Sequence, residues 1–146
     1  MKFFYFDTAH AIGVHDWVLE TTGGSEGVVN IGLLESPLEH IQNDDYYPTL
    51  EEKLTHLVYS INKNHAFQDG NKRTSIALGG YLLKLNGYDF LVTTFTIEME
   101  NVAIWVADNV ISKELLSKII YSIVNDDEYP EEVKLEIATA TMNAQQ

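Results

Sequence analysis

Two apolar helical repeats, separated by a short polar segment, constrain the fold of this chain more than any other feature. Over residues 50–61 the apolar side chains recur every three or four positions, at Leu50, Leu54, Leu57, Val58 and Ile61. This spacing predicts an amphipathic helix. A second helix is expected over residues 74–85, with Gly87 as its stop signal. Its apolar residues point in several directions, and a helix that is apolar all round is buried, so it should lie at the centre of the fold.

Other stretches also have the pattern of helices joined by polar loops. We expect helices at about residues 8–19, 31–41, 96–108, 112–124 and 131–142. Asp7 or Thr8 is the expected cap of the first of these helices, and Ser112 is the expected cap of the fourth. Inward-facing positions are expected at Trp17, Val18, Ile31, Leu34 and Leu38. The run from Phe90 to Phe95 is strand-like in composition but short and isolated, so it is interpreted as a connection.

These expectations define an all-α chain: a compact helical bundle in which the polar segment joins two central helices. We expect a single domain over residues 1–125, and a chain of this length buries roughly 70% of its unfolded surface. Residues 126–146 are expected to form an acidic linker and a tail helix of low apolar content. Gly79 and Gly80 each cost about 1 kcal/mol of helix propensity. We therefore expect another helix to approach closely at these glycines.

The composition argues against several classes of function. The chain has 22 acidic and nine basic residues, and its formal net charge of −13 repels nucleic acid at long range. It contains no cysteine, which excludes disulfides and thiolate chemistry and fits a reducing cytosol. It also lacks an apolar run of about 18 residues and a signal-peptide pattern. We expect a cytoplasmic protein that binds neither nucleic acid nor a membrane.

The polar segment concentrates ionisable and hydrogen-bonding groups in ten residues. Its sequence is His65-Ala66-Phe67-Gln68-Asp69-Gly70-Asn71-Lys72-Arg73-Thr74. Arg73 is the only arginine of the chain, which suggests a bidentate contact with an anion. Because the segment leads into a helix, unpaired backbone N–H groups and the helix dipole should attract phosphate there.

Five consecutive residues form the predicted nucleotide- and phosphate-binding set: Gly70, Asn71, Lys72, Arg73 and Thr74. Gly70 permits the tight turn of an anion-binding nest. Asn71 offers amide hydrogen bonds, and Lys72 and Arg73 supply positive charge.

The predicted catalytic residues are His65, Asp69 and Arg73. His65 can act as a general base near neutral pH. Asp69 has the oxygen ligand that Mg²⁺ prefers when the ion also binds substrate phosphates. Arg73 can stabilise charge that develops on a transferred phosphate. Together these residues suggest Mg²⁺-dependent nucleotide chemistry on a hydroxyl acceptor.

The same segment resembles the signature of the Fic/Doc superfamily, His-x-Phe-x-Asp/Glu-Gly-Asn-Gly/Lys-Arg. The positions of that signature are filled by His65, Phe67, Asp69, Gly70, Asn71, Lys72 and Arg73. Three flanking stretches are similar to the death-on-curing (Doc-like) branch: 23–28, 33–36 and 47–53. The resemblance spans roughly residues 8–124 and implies a Fic/Doc-type helical bundle.

The resemblance implies a reaction and its partners. Doc-like proteins transfer a phosphoryl group from ATP, with Mg²⁺, to a Ser or Thr hydroxyl of a cytosolic protein, with elongation factor Tu as the described target. Fic enzymes that transfer AMP have glycine where this chain has Lys72, and a second arginine where it has Ile76. The resemblance therefore implies a Doc-like toxin that acts as a phosphotransferase and is controlled by a separate antitoxin.

Two other functions remain as alternatives. One is AMP transfer to a protein hydroxyl by the same fold. The other is a degenerate Fic-like domain that acts only by binding, against which the intact motif residues argue.

Two weaker patterns concern regulation and the remaining histidines. The stretch Thr22-x-x-x-Glu26-Gly27 matches the form of the inhibitory Fic motif, but its Gly-Gly-Ser spacer opposes a helix, so no internal inhibitor is expected. The other histidines lack the spacing of a zinc-binding helix, and we expect surface or capped residues at His10, His15, His40 and His56.

Overall fold

The computed structural model describes residues 2–145, and within that range it contains seven α-helices and no strand. The helices are α1 (Thr8–Thr22), α2 (Gly32–His40), α3 (Leu50–Asn64), α4 (Asn71–Leu85), α5 (Val92–Ala107), α6 (Lys113–Asn125) and α7 (Glu131–Ala144). A single 3₁₀ turn, Asp89–Leu91, precedes α5. The all-α prediction is therefore confirmed. Met1, the first residue of the expected domain, and Gln146, the last residue of the expected tail, lie outside the described residues.

Helix α4 lies at the centre of the bundle, with α3, α5 and α1 packed around it. Gly79 on α4 allows the close approach that its sequence position predicts. A Cβ atom at this position would lie 2.8 Å from the Phe95 ring and 2.9 Å from a Val58 methyl group. Gly80 faces a looser contact, since its Cβ would lie 3.4 Å from Val92. At Gly79, which has no side chain, α4 therefore packs closely against both α3 and α5.

Two helix ends are capped as their sequences predict, and a third cap was not predicted. The side chains of Asp7 and Ser112 accept hydrogen bonds from backbone N–H groups in the first turns of α1 and α6. Thr49 caps α3 in the same way. These caps satisfy N–H groups that have no partner inside their own helix.

Two expected helix starts are wrong, and α1 ends at Thr22 rather than at about residue 19. Helix α4 begins at Asn71 rather than at residue 74, because the turn at Gly70 leads directly into it. Helix α5 begins at Val92 rather than at residue 96, so most of the run from Phe90 to Phe95 is helical and not a connection.

Two residues expected to face inward are exposed. Trp17 is 61% exposed, because α1 packs through the face that carries Ala11 and Val18, and Trp17 lies off that face. Ile31 is 47% exposed, because it precedes the first turn of α2. The other three predicted inward positions, Val18, Leu34 and Leu38, are buried.

The segment Asp89–Ala107 is 19 residues long with a mean hydropathy of 1.3, which meets a length-and-composition criterion for a membrane span. Core helices meet the same criterion. In this fold 28% of the apolar stretch is buried, with Phe95, Met99 and Val106 among its buried residues.

The acidic C-terminal stretch folds back onto the bundle. Helix α7 packs against α6, and Val133 is buried at their contact. An ion pair between Lys118 Nζ and Glu136 Oε1, 2.8 Å apart, joins the two helices. Before α7, the Tyr129 hydroxyl donates to Glu98 on α5 at 3.0 Å.

Candidate active site

The ten-residue motif connects the C-terminus of α3 to the N-terminus of α4, and two left-handed residues bend it. His65 ends α3 with φ 52° and ψ 49°, and Gly70 precedes α4 with φ 78° and ψ 16°. Glycine adopts this conformation freely, whereas a residue with a side chain is uncommon there. The motif loop therefore has a defined shape that brings its polar groups to one end of the central helix pair.

Asn71 and Phe67 fix the interior of the motif loop. The Asn71 side chain is buried, where it donates to Phe67 O at 2.9 Å and accepts from Phe67 N–H at 3.2 Å. The Phe67 ring is also buried. The amide of Asn71 thus holds the loop together, and only its backbone N–H remains for an anion at the start of α4.

A covering loop, residues 23–30, lies across the motif. Val28 and Phe67 form an antiparallel bridge, and Gln68 N–H donates to Gly27 O at 2.9 Å. On the other side of the bridge, Val29 N–H donates to Ala66 O at 2.8 Å. Backbone hydrogen bonds therefore hold this loop against the motif.

Asp69 is half-exposed and accepts backbone hydrogen bonds from both sides. Ser25 N–H donates to Oδ2 at 3.1 Å, and Gly70 N–H donates to Oδ1 at 2.8 Å. These two N–H groups lower the pKa of Asp69, and the charge of Arg73, 3.6 Å away, acts in the same direction. The carboxylate is therefore ionised and fixed in place at neutral pH.

Arg73 contacts the end of α1 and the covering loop. Its Nη1 donates to the Thr22 hydroxyl and, at 2.6 Å, to Gly23 O. Its Nη2 lies 3.6 Å from Asp69 Oδ1. The guanidinium is thus oriented by three neighbours, and its side chain remains 38% exposed.

The remaining motif residues differ in accessibility. His65 and Lys72 are exposed. Thr74, which was predicted to bind phosphate, is fully buried, and its backbone N–H donates to Gly70 O at 2.8 Å. Neither the hydroxyl nor the backbone N–H of Thr74 faces solvent. The structure therefore does not place this residue with the rest of the phosphate-binding set.

His15 is a site residue that the sequence reasoning missed. It was expected at the surface, yet it is completely buried beneath the motif, where Nε2 lies 2.7 Å from Asp69 O. Its position carries a signal, because Ala11, Val18 and Leu19 form a buried stripe on α1 and His15 falls within it. A histidine inside an apolar stripe needs a hydrogen-bond partner.

Within residues 2–145 no cluster of three or more His, Cys, Asp or Glu side chains could hold a metal ion. One ionised and accessible carboxylate, Asp69, stands at the N-terminus of α4. Mg²⁺ that is bound with a nucleotide needs only one or two carboxylates, because phosphate oxygens and water complete its shell. The residues present therefore fit Mg²⁺ carried by a nucleotide, and they do not form a dedicated metal site.

Comparison with known proteins identifies the family of this chain. A sequence profile described as the Fic/DOC family matches residues 5–83, which is more than half of the chain and includes the whole motif. The protein named Toxin Doc from Mycolicibacterium smegmatis (strain ATCC 700084 / mc(2)155) is 39% identical over 69 residues. That match covers 44% of this chain and 53% of the relative, so the chain spans about half of the relative's length. The chain belongs to the Fic/DOC family, and it has the Doc-like form of the motif.

Proposed function

We propose that this protein is a Doc-like toxin that transfers a phosphoryl group from ATP to a Ser or Thr hydroxyl of another protein. The observation that carries the proposal is the arrangement at the start of α4. There, an ionised carboxylate and two cations adjoin a helix N-terminus with unpaired N–H groups, and an exposed histidine ends the preceding helix, α3.

His65 is the proposed general base. It accepts the proton of the acceptor hydroxyl as the hydroxyl oxygen bonds to the γ-phosphorus. The bond from the γ-phosphorus to the bridging oxygen then breaks, and ADP leaves. The exposed ring of His65, held at the end of α3, is accessible to a protein substrate.

The first turn of α4 is the proposed phosphate cradle. The backbone N–H groups of Asn71, Lys72 and Arg73 have no acceptor within the helix. Lys72 adds an exposed cation beside them. Donors that are already oriented stabilise the transferring phosphate at little reorganisation cost. The Arg73 side chain adds to this cradle only if Nη1 gives up its hydrogen bonds to Thr22 and Gly23 and donates to phosphate oxygens instead.

Asp69 would hold Mg²⁺ together with the phosphates of ATP. The ion would neutralise charge on the phosphates during transfer.

Lys72 and Ile76 favour phosphoryl transfer over AMP transfer. The lysine adds bulk and charge where enzymes that transfer AMP have glycine, and the isoleucine cannot bind an outer phosphate as their second arginine does. Both changes disfavour the pose that presents the α-phosphate to the acceptor. A reversed nucleotide would instead present the γ-phosphate.

Labelled ATP tests the reaction type. The protein is incubated with a bacterial lysate and ATP labelled at either the α- or the γ-phosphate, with elongation factor Tu as the first purified target. Label from the γ-position alone, with a mass gain of one phosphoryl group, is expected. Label from the α-position would replace this proposal with AMP transfer. Failure to bind ATP in calorimetry would favour a domain that acts only by binding.

We also propose that a separate antitoxin controls the protein in the cytoplasm. Glu26, the acidic residue of the inhibitory-type pattern, is exposed in the covering loop and not in a helix. Expression alone should arrest bacterial growth, and co-expression of a short companion protein from a neighbouring reading frame should relieve the arrest. Strong activation by Glu26→Gly would instead indicate an internal inhibitor.

A further inference from the structure

We infer that His15 is a positioning residue that holds the Asp69–Gly70 peptide in the orientation the reaction requires, an inference that rests on the proposed function. His15 lies on α1, 54 positions from Asp69 along the chain. It touches no reacting atom and would act through the motif loop.

Two contacts fix the His15 ring beneath the motif, and a carboxylate lies close to its other edge. Nε2 lies 2.7 Å from Asp69 O, and because a carbonyl oxygen only accepts, this nitrogen carries the hydrogen. The ring stacks on Phe67, with centroids 3.8 Å apart and planes inclined by 7°. On its other edge, Nδ1 lies 3.2 Å from Asp16 Oδ1, a contact that is a hydrogen bond only when Nδ1 also carries a hydrogen.

One hydrogen bond at this position determines the direction of two groups. The C=O and N–H of a trans peptide point to opposite sides of the same plane. With Asp69 C=O directed at His15, the Gly70 N–H is directed away, where it donates to Asp69 Oδ1 at 2.8 Å. The donor on His15 therefore sets both the turn that begins α4 and the orientation of the Asp69 carboxylate.

The alternative role for His15 is simply to fill the core under Phe67. Phenylalanine would fill that space and keep the stack, but it has no donor. Glutamine would keep an N–H donor of similar reach but has no ring. The variants His15→Phe and His15→Gln therefore separate packing from positioning.

The ring contact between His10 and Tyr81, whose planes are tilted by 31°, supplies a control. His10 also lies on α1, its ring centroid is 4.3 Å from that of Tyr81, and its buried Nε2 has no hydrogen-bond partner within the described residues. The change His10→Phe makes the same chemical substitution without removing a hydrogen bond.

The test measures kcat and acceptor KM for each variant, corrected for the folded fraction. Loss of a partner that orients a site residue typically lowers metal affinity or activity by about 10- to 100-fold. We expect a loss of kcat of this size for His15→Phe, with acceptor KM unchanged and a smaller effect of Mg²⁺ on ATP affinity. His15→Gln and His10→Phe should keep kcat close to wild type. Equal kcat per folded molecule in His15→Phe and wild type would overturn the inference, as would equal losses in both His15 variants.

A second measurement uses NMR and does not depend on transfer. A slowly exchanging His15 Nε2–H resonance is expected in the wild-type protein, and the Gly70 amide should exchange faster in His15→Phe than in His10→Phe. Absence of that resonance, or equal Gly70 exchange in these two variants, would overturn the positioning role. If the wild-type protein transfers nothing from ATP, the proposed function fails, and the NMR result still decides the role of His15.

Discussion

Replacing His65 with glycine should make the protein more stable and inactive as a transferase. His65 is exposed and has a left-handed backbone, with φ 52°. For a residue with a side chain, that conformation costs roughly 1–2 kcal/mol of free energy. Glycine avoids most of this cost but loses more entropy on folding, by roughly 0.5–1 kcal/mol. The net gain is about 0–1.5 kcal/mol, centred on ~0.75 kcal/mol, which corresponds to an increase in Tm of up to roughly 6 °C for a domain of this size.

Two further variants make this prediction specific. His65→Ala keeps the backbone cost, so its Tm should lie below that of His65→Gly, while both should lose at least ~10²-fold in transfer rate. Asn109→Gly is the control, because within residues 2–145 Asn109 is the other residue with a side chain and a positive φ, at 60°, and it lies outside the motif. This change should leave the transfer rate unchanged. The assays are thermal unfolding followed by circular dichroism and transfer of the γ-phosphate. A His65→Gly protein that transfers at the wild-type rate, or that unfolds below His65→Ala, would refute the reasoning.

Other substitutions test the metal, the packing and a buried histidine. Asp69→Asn should abolish transfer and the strengthening of ATP binding by Mg²⁺ in calorimetry, since a neutral amide is a poorer ligand for this ion; an unchanged Mg²⁺ effect would place the metal elsewhere. Gly79→Ala should lower the free energy of unfolding by about 1–3 kcal/mol through overpacking, whereas Gly80→Ala should be neutral or stabilising because alanine favours helix. Burial and the neighbouring Lys113 lower the pKa of His56 from 6.5 to about 4. The unfolded chain therefore binds this proton first, and stability should fall as the pH drops from 6.5 towards 4. In an NMR titration Lys113→Gln should raise the pKa of His56, and no change would contradict the assigned cause.

Helical periodicity was enough to predict the bundle, but it could not locate the start of α4. The three polar residues from Asn71 to Arg73 carry no apolar stripe, so the pattern suggested a helix that begins at residue 74. In the structure Gly70 makes a left-handed turn, and the buried Asn71 amide ties the loop to Phe67. The helix can then begin at Asn71. Hydrogen bonds of one side chain decide this boundary, and they have no periodic signature.

Contacts between distant parts of the chain were beyond the sequence reasoning for a different reason. Asp69 and Ser25 are separated by 44 positions, and Arg73 and Thr22 by 51. Hydrophobic patterns predict which face of a helix is buried but not which polar group will meet another across the fold. The Gly-Gly-Ser spacer did argue against a helix in the covering loop, and at Gly24 the structure leaves no room for a side chain. A Cβ on Gly24 would lie 2.7 Å from Asp69 Oδ2.

These distant contacts change what an intact motif can establish. The motif supplies His65, Asp69 and Arg73, but the orientation of Asp69 and Arg73 depends on groups outside it: the His15 ring, the Thr22 hydroxyl and the covering loop. A chain could keep every motif residue, fold correctly and still fail to catalyse transfer if α1 lost these groups. Variants of His15 and of the covering loop therefore test the proposed enzyme against a domain that only binds, which the motif sequence by itself cannot do.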